Sequence, residues 1–332
     1  MNQLTDVSAM QNNNPLLDID ISFNSYLNAR TRSFKSHVIG GALDYAFDAD
    51  FSMRQKIHGI PGWNKLYKTI MSQDIPAKVK KLFQTATIAG SLKYPSIYEA
   101  TCKCAERLEI SLPTVYVRNG DSREIYSIAA EGFDPCIVVT SDIEELCTPE
   151  ELQLLIGCEC GRIQNNHCVY NMTAPYIGLK REEGFIPPDS PQGDGTGRQL
   201  EFTIAEWVRL ADITSDRAGI ICCDNPQKFP ELFASLRRKG IKDFFGRKGS
   251  DVNLEKLMKS YEIIHITPAR NIVIDPTSTL SMRRIYAGME FLNCDILYNW
   301  RSDLKKTDIH TVNKQALEVR CEIIVGAAKE ES

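Results

Sequence analysis

The residues of this chain best placed to do chemistry lie in Thr148-Pro149-Glu150-Glu151-Leu152-Gln153-Leu154-Leu155-Ile156-Gly157-Cys158-Glu159-Cys160-Gly161-Arg162-Ile163. Positions 158 and 162 are four apart, so on a helix they share one face. Two imidazoles at that spacing, with a glutamate beside the first, grip a divalent metal and supply a general base. Here the outer positions are Cys158 and Arg162, and only Glu159 keeps its type. A guanidinium stays protonated and offers donors only, so Arg162 cannot ligate a metal. The stretch has the pattern of a metal-binding helix without its ligands.

Nearby residues do not repair the set. Cys160 lies two positions beyond Cys158, about 200° around a helix, and faces away. His167 would sit about 13 Å along the axis and on the opposite side. A second chemistry-bearing run is Arg237-Arg238-Lys239-Gly240-Ile241-Lys242-Asp243-Phe244-Phe245-Gly246-Arg247-Lys248, where basic residues flank two phenylalanines. Such a run contacts phosphates and stacks on bases when it binds nucleic acid. The local pairs Cys102/Cys104, Cys158/Cys160 and Cys222/Cys223 lack C-x-x-C spacing and are expected as small buried hydrophobes.

Elements must hold these residues in place. Thr148 caps the motif helix, with Glu151 three residues on completing a capping box. Asp142–Leu146 is a short helix before it. The β-branched runs Thr114–Val117 and Cys136–Thr140 read as strands, and Ile125–Ala130 between them as a third. Apolar spacing predicts helices over His37–Phe47, Lys78–Ala89, Tyr94–Leu108, Ile204–Ile221, Phe229–Lys239 and Met282–Tyr298. Residues 1–20 are polar and Asn-rich and are expected as a flexible tail. Lys180–Gln199, interrupted by glycines and prolines, is expected as a mobile loop between two packed helices. The organisation is a single domain over 21–305, with a charged C-terminal segment over 306–332.

Composition narrows the class. The chain has 332 residues, 43% hydrophobic and 25% charged, enough for a substantial core. A net charge of −4 gives no global attraction to nucleic acid or anionic membrane. No basic-then-apolar leader and no membrane-length apolar run are present, so a cytoplasmic protein without membrane contact is expected. Eleven cysteines without a regular framework fit a reducing compartment.

Three segments together resemble the HtpX and CAAX-prenyl-protease type of zinc metallopeptidases, in a soluble form. They are the Cys136–Thr140 strand leading into Thr148–Ile163, then Trp207-Val208-Arg209-Leu210-Ala211-Asp212-Ile213-Thr214-Ser215-Asp216-Arg217-Ala218-Gly219, and Asp275-Pro276 with Arg284-Ile285. The resemblance implies an α+β, mainly helical, zincin-like fold with a small β-sheet. It implies that Cys158 and Arg162 replace the ligand histidines, that Glu159 is the former general base, and that Asp212 replaces the third ligand, a glutamate. Asp216 is the acid that supports a ligand histidine, and Asp275 stands where many members carry histidine. In the family an extended substrate pairs with an edge strand, here Ile125, Tyr126, Ser127, Ile128, Ala129 and Ala130.

Without the ion Glu159 has no activated water to deprotonate, and hydrolysis by the family route is expected to be absent. Two carboxylates in one cleft repel, so Arg162 is expected to pair with Glu159 or Asp212. The function expected is that of a pseudoprotease without metal or cofactor, binding a peptide or protein in a regulatory or structural role. One alternative is an unorthodox zinc metallopeptidase using Cys158, Asp212 and a third ligand such as His265. Another is a nucleic-acid-associated protein using the 237–248 run.

Overall fold

The computed structural model describes residues 37–39, 41–60, 62–69, 72, 75–130, 132–168, 195–242, 249–304 and 311–326. The expected tail 1–20 and residues 180–194 of the expected loop lie outside the described residues, as do 243–248 of the basic run.

The architecture is α+β, with helices around a small sheet. A short hairpin, β1 (Val38–Ile39) and β2 (Ala42–Leu43), opens it. β3 (Thr87–Ile88), β4 (Thr114–Arg118), β5 (Ile125–Ala130) and β6 (Phe133–Thr140) form a four-stranded sheet in the order β3-β4-β6-β5. β4 and β6 run parallel, while β3 and β5 pair antiparallel to β4 and β6 respectively. Successive side chains of a strand point to opposite faces. Along β6 this sends Ile137 and Val139 into the main core, and Cys136 and Val138 into a smaller one with Val79, Leu82 and Ile128.

The helices are α1 (Asp48–Gly59), α2 (Trp63–Thr69), α3 (Ile75–Thr85), α4 (Pro95–Arg107), α5 (Asp142–Leu146), α6 (Pro149–Gln164), α7 (Gly195–Cys222), α8 (Phe229–Arg238), α9 (Leu254–Ile266), α10 (Leu280–Phe291), α11 (Asp295–Trp300) and α12 (Lys314–Val325). β6 feeds α6 through α5. The start of α6 is fixed by the capping box: the Thr148 hydroxyl accepts from the Glu151 N–H at 3.3 Å, and the Thr148 N–H donates to Glu151 Oε2 at 2.7 Å.

The centre of the molecule is the pairing of α6 with α7. Gly157 and Gly161 present a bare face to Ala218, Gly219 and Cys222. A Cβ at Gly157 would lie 2.6 Å from Cys222 Cβ, and one at Gly161 would overlap the Ala218 methyl. The two backbones therefore approach closely enough for side chains of α6 to reach carboxylates of α7. Arg301 finishes α7 by donating to the carbonyls of Ile221 and Cys223 at 2.9 and 2.5 Å.

Four expectations need correcting. His37–Phe47 is not helical but carries the β1–β2 hairpin, turning through Gly41 at φ +89°. The helix expected from Ile204 begins at Gly195, so 195–199 belong to α7 and not to a loop. The helix expected over Met282–Tyr298 is two, because Asn293 and Asp295 hydrogen-bond Val312 and Cys294 bridges to it. Within the charged segment 306–332, residues 314–325 form α12, whose Leu317, Cys321, Ile324 and Val325 are buried against the main core.

Candidate active-site cleft

α6 carries Cys158, Glu159 and Arg162, α7 carries Asp212 and Asp216, and α10 supplies Arg284. The structure brings all six together. Arg162 Nη2 donates to Asp212 Oδ1 at 2.6 Å, and Arg162 Nε lies 3.5 Å from Glu159 Oε1. Arg284 Nη1 takes the other oxygen of Asp212 at 3.1 Å. Its Nε and Nη2 grip Asp216 in a bidentate pair at 2.7 and 2.6 Å. Ser127 Oγ donates to Glu159 Oε2 at 2.8 Å, tying Glu159 to β5. The Cys158 thiol lies 4.0 Å from Asp216 Oδ1.

The pairs are buried, and Asp212 is fully enclosed. Burial works against the charge on Arg162, but Asp212 and then Glu159 outweigh it and hold the guanidinium protonated above its ordinary value. Burial is likewise overcome at Arg284 by Asp212 and Asp216. Burial lifts Asp216 above the ordinary carboxylate range, with Arg284 offsetting part of the rise. The Cys158 thiol is pushed well up, first by burial and then by Asp216, so a thiolate is disfavoured there.

A zinc ion needs three or four convergent donors, with any cysteine deprotonated. Among the described residues no group of three or more His, Cys, Asp or Glu side chains is arranged to hold a metal. Both oxygens of Asp212 already receive guanidinium donors, which leaves neither open to a dication. The donor set does not fit zinc.

The remaining candidates fall elsewhere. His265, on α9, has Nδ1 3.4 Å from the Tyr261 hydroxyl. His167 Nε2 sits 2.9 Å from Asp50, a buried carboxylate that also accepts from Trp207 and Thr214, each at 2.7 Å. Asp275 is exposed and closes a turn, accepting from the Thr277 N–H and hydroxyl at 2.8 Å each. β5 lies at the sheet edge. Its outward N–H at Ile125 is already taken by the Lys242 carbonyl at 3.0 Å, and Ser127 is fully buried.

Arg284 and Ser127 are the members of the cluster that spacing does not indicate. Arg284 lies in a matching segment, yet nothing local says that it folds back 72 residues onto Asp212. The first half of the basic run packs against the same cleft. Arg237 stacks over the Phe233 ring at 4.5 Å, Lys239 pairs with Glu151 at 2.5 Å, and Arg237 and Lys242 line the cleft. That cleft is a half-open pocket with a cavity volume of about 60 Å³, bordered by Cys158, Glu159, Arg162, Asp216 and Arg284.

The chain is 27% identical over 196 residues to the plastoglobule-localized metallopeptidase 48, chloroplastic, of Arabidopsis thaliana. The match covers 59% of this chain and 56% of that protein, so the chain spans little more than half the length of its relative. No family model and no solved structure matches. No helix among the described residues is long and apolar enough to cross a membrane. By sequence similarity to that relative, and with a mixed helix-and-sheet architecture compatible with it, the chain is metallopeptidase-like.

Proposed function

We propose that this chain is a zincin-like scaffold of the HtpX and CAAX-prenyl-protease type that has lost hydrolysis. It acts by binding a peptide or protein, in a regulatory or structural role, in the cytoplasm. One observation carries the reading: Asp212, at the third ligand position, is held between Arg162 and Arg284, one guanidinium on each oxygen. A fixed organic cation thus stands in the role of the ion. It balances Glu159 and Asp212 but offers no vacant site to polarise a carbonyl or acidify a water.

The cleft retains a shaped, charged cavity beside α6, and that is where a ligand is proposed to contact the protein. The test is hydrolysis of unfolded casein with and without added zinc, comparing the wild type with Glu159→Gln. No cleavage by either protein is expected. Zinc-dependent cleavage that disappears in Glu159→Gln would overturn the reading in favour of a working metallopeptidase.

A further inference from the structure

The whole-chain charge of −4 conceals an uneven distribution. Residues 51–95 carry eight Lys or Arg against one acid, Asp74. Within them, residues 75–95 have four lysines and no acid, over α3, β3 and the turn that follows. α3 covers the outer face of the sheet with Val79 and Leu82, which meet Ile128, Cys136 and Val138. It leaves the β3 side of that face open. Ile88 pairs across to Tyr116, and Phe83 lies against Tyr116 and Phe133 with ring centroids at 4.9 and 5.4 Å. Ile88 is still 57% exposed and Phe83 42%.

The register gathers further apolar tips at one end of this sheet. β3 runs antiparallel to β4 and β4 parallel to β6, so the end of β3 adjoins the starts of β4 and β6. Beyond β3 a bridge between Gly90 and Lys93 closes a tight turn, on which Leu92 is 95% exposed. Leu112, just before β4, is 47% exposed, and Phe133 opens β6. Lys93 is exposed beside Leu92, and Lys80 and Lys81 are exposed on α3, Lys80 one turn from Phe83. Asp134 is exposed beside Phe133 and leaves the lysines in excess. The cleft lies at the other end: its Ile125 pairs with Val139, near the close of β6.

Charge and side-chain type select the occupant. A second copy of the chain is disfavoured, because a two-fold contact would set these lysines against one another. A single-stranded nucleic acid stacks its bases on open aromatic faces. Here the foremost tips, Ile88, Leu92 and Leu112, are aliphatic, and the Phe83 ring already packs on Tyr116 and Phe133. Aliphatic tips among lysines complement a lipid surface with anionic headgroups. The tips enter the boundary of the acyl chains, and the ammonium groups stay at the level of the phosphates.

We propose that this end of the sheet is a peripheral docking surface for an anionic lipid bilayer, with Ile88, Leu92 and Leu112 inserted and Lys80, Lys81 and Lys93 against the headgroups. The test is co-sedimentation of the full chain with vesicles of phosphatidylcholine alone and of equal parts phosphatidylcholine and phosphatidylserine, at low and high salt. Binding is expected to the mixed vesicles only, and to fall as salt rises. Lys80→Ala with Lys81→Ala should weaken it about 25-fold, at about fivefold for each lysine at the surface. Leu92→Ser should weaken it about tenfold, the loss of one buried leucine. All three positions are exposed, so the melting temperature is expected to stay unchanged in both variants. Equal binding to the two kinds of vesicle, or binding to neither, would overturn the proposal. Full binding by Leu92→Ser would overturn insertion and leave adsorption by charge alone. Tighter binding to a mixed-sequence oligonucleotide than to either vesicle would overturn the lipid partner and assign the surface to nucleic acid.

Discussion

Arg162 and Arg284 share one carboxylate, that of Asp212. Asp212 is one methylene shorter than the glutamate that the family resemblance implies, and it accepts a guanidinium on each oxygen. Removing one partner of a buried pair leaves a charge without compensation, which costs about 3–5 kcal/mol. Arg162→Ala is therefore expected to lose about that much stability in urea unfolding. Asp212→Ala added to it should cost less than the sum of the two single changes, because both act on one network. A double variant that is simply additive would contradict the pairing.

A second residue-scale prediction concerns the buried Asp50–His167 pair. Burial lowers the His167 pKa, with Asp50 offsetting part of the fall. Asp50 itself is lowered despite its burial, through His167 and Arg54. Both folded values lie below the unfolded ones, so the unfolded chain binds more protons on acidification. The stability from His167 is complete above about pH 6.5 and is lost as pH falls through its lower folded value; that from Asp50 is lost further down, below about pH 3.9. The unfolding free energy should drop between pH 7 and 5, by at most about 1.4 kcal/mol per pH unit for the His167 proton, and the melting temperature with it. His167→Asn should flatten that slope. At this scale Arg162, Glu159 and Asp212 were legible, because helical spacing puts the first two on one face and the third lies in a specific motif. Arg284 and Ser127 were not, since each reaches the site from an element whose docking is a tertiary event.

The close approach of α6 and α7 is what lets Arg162 span to Asp212. Gly161→Ala would place a methyl into the Ala218 side chain at a contact set by two backbones. Overpacking of this kind costs about 1–3 kcal/mol. The expected outcome is a lower melting temperature in Gly161→Ala, partly restored by adding Ala218→Gly. Most elements were readable from local pattern. The α6 capping box and the three longer strands follow from residue types over a few positions. The hairpin at 38–43 was misread as helix although Gly40-Gly41 is a turn signal, because flanking apolar residues fit a 3.6-residue period as well. The break between α10 and α11 has no glycine or proline to announce it; pairing with Val312, a long-range contact, imposes it.

At the scale of the whole molecule, the far C-terminal helix closes the main core. Arg217, buried in α7, lies over the Phe47 and Phe291 rings and donates to Glu318 of α12 at 2.6 Å. Composition drew attention to the charges of 306–332 and hid Leu317, Cys321 and Ile324, which recur at helical spacing. Ending the chain at residue 305 would expose that core and strip Arg217 of its carboxylate. The shortened chain is expected to be insoluble or without cooperative unfolding by circular dichroism. Glu318→Ala in the full chain should cost about 3–5 kcal/mol. A truncated chain that melts like the full one would contradict the role given to α12.

The central claim, that guanidiniums stand where a metal would, is tested most directly by the metal content of untagged protein, measured by mass spectrometry beside Cys158→Ala. The account predicts zinc far below one ion per chain, unchanged by Cys158→Ala. Near-stoichiometric zinc that is lost in Cys158→Ala would contradict it and return the chain to the working metallopeptidases.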